Sequence, residues 1–198
     1  YQSLWLSLDE MSATYNVLDE NDDVSFELGN EKVALVAVLE NPNYIRNIGT
    51  VIRNINALGV DALLVIDNLN RLDINISELR QRKSLLKFSN GAVKWTNVKR
   101  FDSSQQCFEF LQENNFVSVG TSPHAICKRQ VELSASELTA PKLAIWFGEE
   151  SKGLSEAAIS NCEYCLTIEM KGRVESLNLS TTTGIVMYEA VRQRSGLG

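Results

Sequence analysis

Short apolar runs rich in β-branched residues recur along the chain, separated by segments with helical spacing. VALVAVL (33–39), DALLVI (61–66), FVSVG (116–120), LAIWFG (143–148) and YCLTI (164–168) read as strands, and AVKWTNV (92–98) as a weaker one. Their near-continuous apolarity implies burial on both faces, the pattern of a parallel sheet covered by helices. Between the first two, TVIRNINALG places Val51, Ile55 and Leu58 at i, i+4, i+7, with Gly59 as its stop. SELRQRKSLLKFS and SSQQCFEFLQEN also scan as helices, and the chain closes on the helical spacing of IVMYEAVRQR. The alternation predicts an α/β domain, a doubly wound parallel sheet flanked by helices.

The length of 198 residues suits one such domain. The pattern starts only near residue 33, so residues 1–32 read as an acidic N-terminal appendage and 33–198 as the folded domain. No apolar run reaches the roughly 18 residues of a membrane span, so no membrane partner is expected. YQSLWLSLDE lacks the basic-then-apolar order of a signal peptide. Four scattered cysteines fit reduced thiols in a cytoplasmic protein.

Charge changes the picture through its distribution. The net charge is −6, yet residues 71–100 carry eight basic side chains against Asp73 and Glu78. Residues 1–40 carry nine acids and only Lys32. A local basic field attracts phosphate even on an acidic protein, although a charge run alone is more often a solvated helix face.

Ligands in open α/β sheets collect at the carboxyl ends of strands. The loops ENPNYIRNIG, TSPHA, FGEESKG and EMKGRVESLNLS follow strands there. None matches a dinucleotide fingerprint or a P-loop. Cys162-x-x-Cys165 has no second pair, so two small buried thiols are expected and no metal site. His124 has no visible acid or nucleophile partner and reads as a loop residue near a pocket. Asn47 is placed just before the first helix, which Gly49 lets approach closely. Arg53 lies off that helix's apolar stripe, facing solvent or a cleft. Glu150 could serve only the dipole of the next helix. The polar run ESLNLSTTTG (175–184) heads a helix that otherwise looks buried, either capping it or lining a pocket.

Taken in order, these loops resemble one family. ENPNYIRNIGTVIRNINALGV looks like the first motif of the SpoU family of RNA 2′-O-ribose methyltransferases (SPOUT class, TrmH-like). LAIWFGEESKGLS resembles its second, a strand followed by G-x-E-x-x-G, and LTIEMKGRVESLNLSTTTGIVMYEAVRQR its third, in which S-L-N opens the last helix. SNGAVKW is similar to the family's S-x-G-A segment. The resemblance runs from about residue 33 to 194.

The resemblance implies a parallel sheet ending in a C-terminal trefoil knot, the α/β-knot fold. It implies S-adenosylmethionine as cofactor, contacted at Gly148, Ile168 and Leu177, with Thr121 and Ser122 as further contacts. It carries a catalytic set to Asn47, Arg53, Glu150, Ser176 and Asn178, with tRNA or rRNA as substrate, and a homodimer whose site combines both chains. Arg53 is often assigned as the base in this family. A guanidinium holds its proton strongly, so stabilising the developing alkoxide is the easier role. The alternatives are a catalytically inert RNA-binding relative, a base-methylating relative with the same knot, and a flavodoxin-like small-molecule enzyme.

Overall fold

The computed structural model describes residues 32–69, 78, 80–122 and 129–195. The acidic appendage up to residue 31, most of residues 70–79, His124 and Cys127 lie outside them. The elements run β1 (Ala34–Glu40), α1 (Ile45–Leu58), β2 (Ala62–Ile66), α2 (Lys83–Phe88), β3 (Val98–Phe101), α3 (Ser104–Glu113), β4 (Val117–Thr121), β5 (Gln130–Glu132), β6 (Lys142–Phe147), α4 (Glu156–Asn161), β7 (Cys165–Thr167) and α5 (Leu179–Arg194). The strands form one parallel sheet in the order β3-β2-β1-β6-β4-β7-β5.

β1 is buried along its whole length, as its unbroken apolarity requires. Leu35, Ala37 and Leu39 pack beneath α1, α2 and α5 through Ile48, Val51, Ile52, Ile55, Leu85, Val186 and Met187. Ala34, Val36 and Val38 meet α3 and α4 through Cys107, Phe108, Leu111, Ala158 and Ile159. The sheet is thus the middle of three layers. On the second face Phe108 stacks on buried Trp146 with ring centroids 3.9 Å apart. Burial, then the neighbouring Glu40 carboxylate, pushes the Cys107 thiol well above its usual range.

Three local expectations are corrected. Residues 92–98 are not a strand. Ala92–Lys94 forms a 3-10 turn after Gly91, whose φ is +82°. The Ser89 hydroxyl accepts from Val93 N at 3.2 Å and Thr96 Oγ1 donates to Ala92 O at 2.9 Å. These local bonds outcompete extension, and β3 begins only at Val98. Helix α1 starts at Ile45 and carries Asn47 in its first turn rather than before it. Its N-cap, Tyr44, makes no side-chain capping bond, so the usual start signal is missing. The span SELRQRKSLLKFS contributes α2 from Lys83 onward, and Ser77 and Leu79 lie outside the described residues. The edge strand β5, which no periodicity marked, pairs with β7.

Two close approaches bring the first layer together. A Cβ on Gly49 would lie 2.6 Å from the Phe88 Cβ of α2. A Cβ on Gly184 of α5 would lie 3.2 Å from the Asn54 amide of α1, whose Nδ2 donates to Ser180 O at 2.9 Å. The far end of α5 is clamped as well. Arg194 donates to the carbonyls of Ala140, Pro141 and Ala34, which open β6 and β1. Gln193 accepts from Leu138 N at 2.8 Å and donates to Ser136 O at 3.1 Å. The whole length of α5 is therefore fixed across one face of the sheet.

Truncating Arg194 to Ala removes charge-assisted bonds to three carbonyls. We expect a loss of about 1.5–3 kcal/mol of stability, read as a lowered urea midpoint with an unchanged slope. An unchanged midpoint would mean that the clamp contributes nothing net.

Candidate functional site

A cavity of about 580 Å³ opens at the carboxyl ends of β4, β6 and β7. That volume lies within the roughly 300–1,000 Å³ of small-molecule sites. Its walls come from Thr121 and Ser122 after β4, residues 147–154 after β6, Leu166, Ile168 and Met170 around β7, and the segment from Glu175 to the first turns of α5. Eight of the ten residues picked out from the sequence line it: Thr121, Ser122, Gly148, Glu150, Ile168, Ser176, Leu177 and Asn178.

The wall after β6 depends on glycine. A Cβ on Gly148 would lie 2.0 Å from the Gly153 carbonyl carbon and 2.1 Å from Leu154 N. No side chain fits there, because the loop returns over its own start. Glu149 N donates to Gly153 O at 3.1 Å, and Gly153 N to Glu149 O at 2.9 Å. Gly153 has φ +72°, the left-handed conformation that closes this turn. The two glycines of G-x-E-x-x-G are thus needed for different reasons, one for space and one for conformation.

The glutamate between them ties three loops together. Glu150 Oε1 accepts from Asn47 Nδ2 at 2.6 Å, and Oε2 from the Asn43 backbone N–H at 2.9 Å. Asn47, buried at 4% exposure, accepts at its Oδ1 from Asn178 Nδ2 at 3.4 Å. Asn178 is the N-cap of α5, its Oδ1 accepting from Ser180 N at 2.9 Å and Ser180 Oγ at 2.6 Å. Glu150, Asn47 and Asn178 form one relay joining the β6 loop, α1 and α5. The polar run ahead of α5 therefore caps the helix and lines the cavity at once. Of its threonines, Thr182 lines the cavity, Thr181 is exposed, and buried Thr183 donates back to Leu179 O at 2.8 Å.

Two predicted residues stand apart. Asn47 reaches the cavity only through its bonds to Glu150 and Asn178. Arg53 does not line it: its side chain is exposed on the outer face of α1, seven residues after exposed Arg46, with no bonding partner among the described residues. Ser176 does line the cavity, and its hydroxyl also makes no hydrogen bond to a described residue.

The cavity also includes Glu149, which is 7% exposed and accepts from Ser151 Oγ at 2.7 Å. The sequence offered only its place beside Glu150. Just outside the cavity, buried Glu40 at the end of β1 accepts from Ser155 N and Ser155 Oγ, both at 2.8 Å, and from Ser104 Oγ. It anchors the first turn of α4 to the strand beside the site. Cys162 and Cys165 are buried, outside any disulfide, and flank Gly120.

Residues 34–188 match the SpoU rRNA Methylase family. The 23S rRNA (guanosine-2′-O-)-methyltransferase RlmB of Pectobacterium atrosepticum is 30% identical over 178 residues, covering 89% of this chain and 67% of that one. A putative TrmH family tRNA/rRNA methyltransferase of Staphylococcus saprophyticus is 26% identical, over 94% of this chain and 70% of that protein. Among solved structures, the SpoU methyltransferase AviRb from Streptomyces viridochromogenes, in complex with AdoMet, superposes with a TM-score of 0.72. It is 26% identical, over 85% of this chain and 64% of that chain. This chain thus spans about two thirds of the length of these relatives.

The glycine geometry makes a paired expectation. Gly148→Ala must displace the Gly153–Leu154 peptide and should cost about 3 kcal/mol or more, the upper end of overpacking penalties. Gly153→Ala meets no atom within 4 Å and should cost only about 1–2 kcal/mol for its left-handed φ. Chemical denaturation of both variants decides this, and equal losses would refute the steric account.

Proposed function

The chain belongs to the SpoU rRNA methylase family, and from that premise we propose that it transfers the methyl group of S-adenosylmethionine to a ribose 2′-hydroxyl of tRNA or rRNA. The observation that carries this reading is the relay from Glu150 through Asn47 to Asn178, which gathers the three loops at one cavity. The residues present fit the cofactor. Leu154, Leu166, Ile168 and Leu177 offer apolar surface, while Glu149 and Glu150 place carboxylates beside a ligand that carries positive charge. Gly148 allows close backbone approach, and Gly148, Ile168 and Leu177 would hold the cofactor, with Thr121 and Ser122 at its edge. When bound, S-adenosylmethionine would supply an electrophilic methyl group for in-line displacement, with its thioether as leaving group and the hydroxyl proton released to water.

The protein's own part is positioning and electrostatics. Glu150 already accepts two hydrogen bonds, so it fixes the loops rather than moving a proton. Asn178 is engaged as a cap, and Asn47 holds it against the β6 loop. The hydroxyl of Ser176 is available to orient a substrate phosphate. Arg53 would stabilise the negative charge that develops on the 2′-oxygen, since its guanidinium cannot readily act as a base. Residues 33–198 would constitute the catalytic domain, acting in the cytoplasm. The path of residues 169–178 past the loop 147–154 and back onto α1 fits a trefoil knot, a rare exception to ordinary chain topology.

Arg53 lies off the cavity of its own chain, which supports a homodimer in which this residue completes the site of a second copy. Ile185 and Tyr188, 40% and 59% exposed on α5, offer apolar contact on the same layer. Light scattering should give about twice the 22.1 kDa chain mass, and a monomer would remove the shared site.

Methyl incorporation into RNA, together with mapping of 2′-O-methyl positions in cells with and without the gene, tests the activity. Cofactor binding without incorporation would mark an inert RNA-binding relative instead. Arg53→Ala should fold normally and lower the single-turnover rate by roughly a hundredfold, the scale of one lost oxyanion donor. Arg53→Lys should also be badly impaired, because it loses the planar fork. Calorimetry should show S-adenosylmethionine still bound in both. Near-normal rates in Arg53→Ala would take that residue out of the chemistry.

A further inference from the structure

We infer that Trp95 is a stacking platform for an unpaired nucleobase of the RNA substrate, set on a basic surface on the α1–α2 layer. The inference rests on the RNA-methylation reading and adds a contact separate from the cavity, since neither Trp95 nor its basic neighbours line it. Three observations carry it. Trp95 is 52% exposed, although tryptophan is highly buried on average. Its backbone is nonetheless fixed. Val93 and Thr96 on either side are buried, Trp95 N donates to Ala92 O at 3.0 Å, and Thr96 Oγ1 donates to the same carbonyl at 2.9 Å. A ring carried on a fixed backbone loses less entropy when a flat base covers its exposed face.

The third observation is charge. Between Glu78 and Asp102 the chain has no acidic residue and seven basic ones, in a protein of net charge −6. Lys99 and Arg100 hold contacts within the domain. Lys99 Nζ sits over the rings of Phe110 and Phe101 at 4.6 and 5.6 Å, and Arg100 pairs with buried Asp67 at 3.6 Å. Arg82, Lys83, Lys87 and Lys94 are exposed. The 3-10 turn of Lys94 packs on both α1 and α2, so these cations and Trp95 share the layer that exposes Arg46 and Arg53. Exposed cations beside an exposed aromatic ring fit single-stranded RNA, whose phosphates take the charge and whose unstacked bases take the ring. A duplex hides its bases in the stack and would use only the charges.

The test measures binding of a short oligouridylate and of duplex RNA to the wild type, Trp95→Ala and Trp95→Phe, with light scattering on each. Trp95→Ala should weaken oligouridylate binding by roughly tenfold or more, the scale of one lost base–aromatic stack. Duplex binding should barely change, and Trp95→Phe should recover most of the loss. In a Trp5→Phe background, oligouridylate should shield the indole from acrylamide, because Trp146 is already buried. Unchanged oligouridylate binding in Trp95→Ala, or an equal loss for duplex, would overturn the stacking role. A shift from dimer to monomer in Trp95→Ala would assign the ring to a second copy of the chain, which also overturns it. Failure of the wild type to bind S-adenosylmethionine or methylate any RNA would instead bring down the methylation reading itself.

Discussion

Two backbone segments meet at Gly148 more closely than any side chain permits. A methyl group there would occupy the position of the Gly153–Leu154 peptide, so this contact allows one residue type only. The cavity exists because of that contact. The loop after β6 must turn back sharply, and it returns through the left-handed Gly153. That return presents Glu150 to α1 and leaves Glu149 on the cavity wall. Little in the loop could change independently of the rest, because its backbone hydrogen bonds run between Glu149 and Gly153 themselves.

The relay from Glu150 to Asn178 depends on this loop. It is part-buried, contains a carboxylate and has no cation in it, which would ordinarily be costly. Its satisfaction comes from donors: an amide side chain and a backbone N–H on Glu150, and a second amide on Asn47. Glu40 solves the same problem nearby with serine donors. Carboxylates held by neutral donors are fixed in orientation with no cation set against them in these bonds, which suits walls around a cationic ligand. At the opposite end of α5, Arg194 answers a different need by covering carbonyls where β1 and β6 begin. One helix thus joins the ligand edge of the sheet to its far edge, and strain at either end is opposed by bonds at the other.

How legible this was in the sequence depended on whether the cause was local or distant. The central strands were plain because burial on both faces leaves uninterrupted apolar letters, as in Ala34–Glu40 and Lys142–Phe147. Residues 92–98 misled because β-propensity says nothing of the Ser89 and Thr96 hydroxyls that fold the chain into a turn. The start of α1 was hidden because Tyr44 caps it without a side-chain bond. Strand β5 was hidden because its three residues are exposed or half-buried and leave no apolar run. That residues of the second and third motifs lie together was legible through the family resemblance, and they line one cavity. The reason they work together was not, since the relay joins residues more than a hundred positions apart. Arg53 marks the limit: its place off the apolar stripe was visible, but nothing in the sequence showed that it stands outside the cavity of its own chain.

The charge pattern raises a question that the net value conceals. A chain of −6 should repel RNA at long range, and diffusional encounter is governed by the field within about a Debye length, roughly 8 Å at physiological salt. Along the chain no acid interrupts the run from residue 79 to 101, and its Arg82, Lys83, Lys87 and Lys94 are exposed on and beside α2. The cavity edge differs, with Glu149, Glu150 and Glu175 lining it beside Lys152. The exposed basic side chains of the α2 surface and the mixed charges of the cavity thus lie apart. On the proposed reading the two tasks would be divided in the same way, phosphates held at α2 and a ribose delivered to the cavity, so that RNA phosphates need not enter the carboxylate-lined pocket of a cationic cofactor.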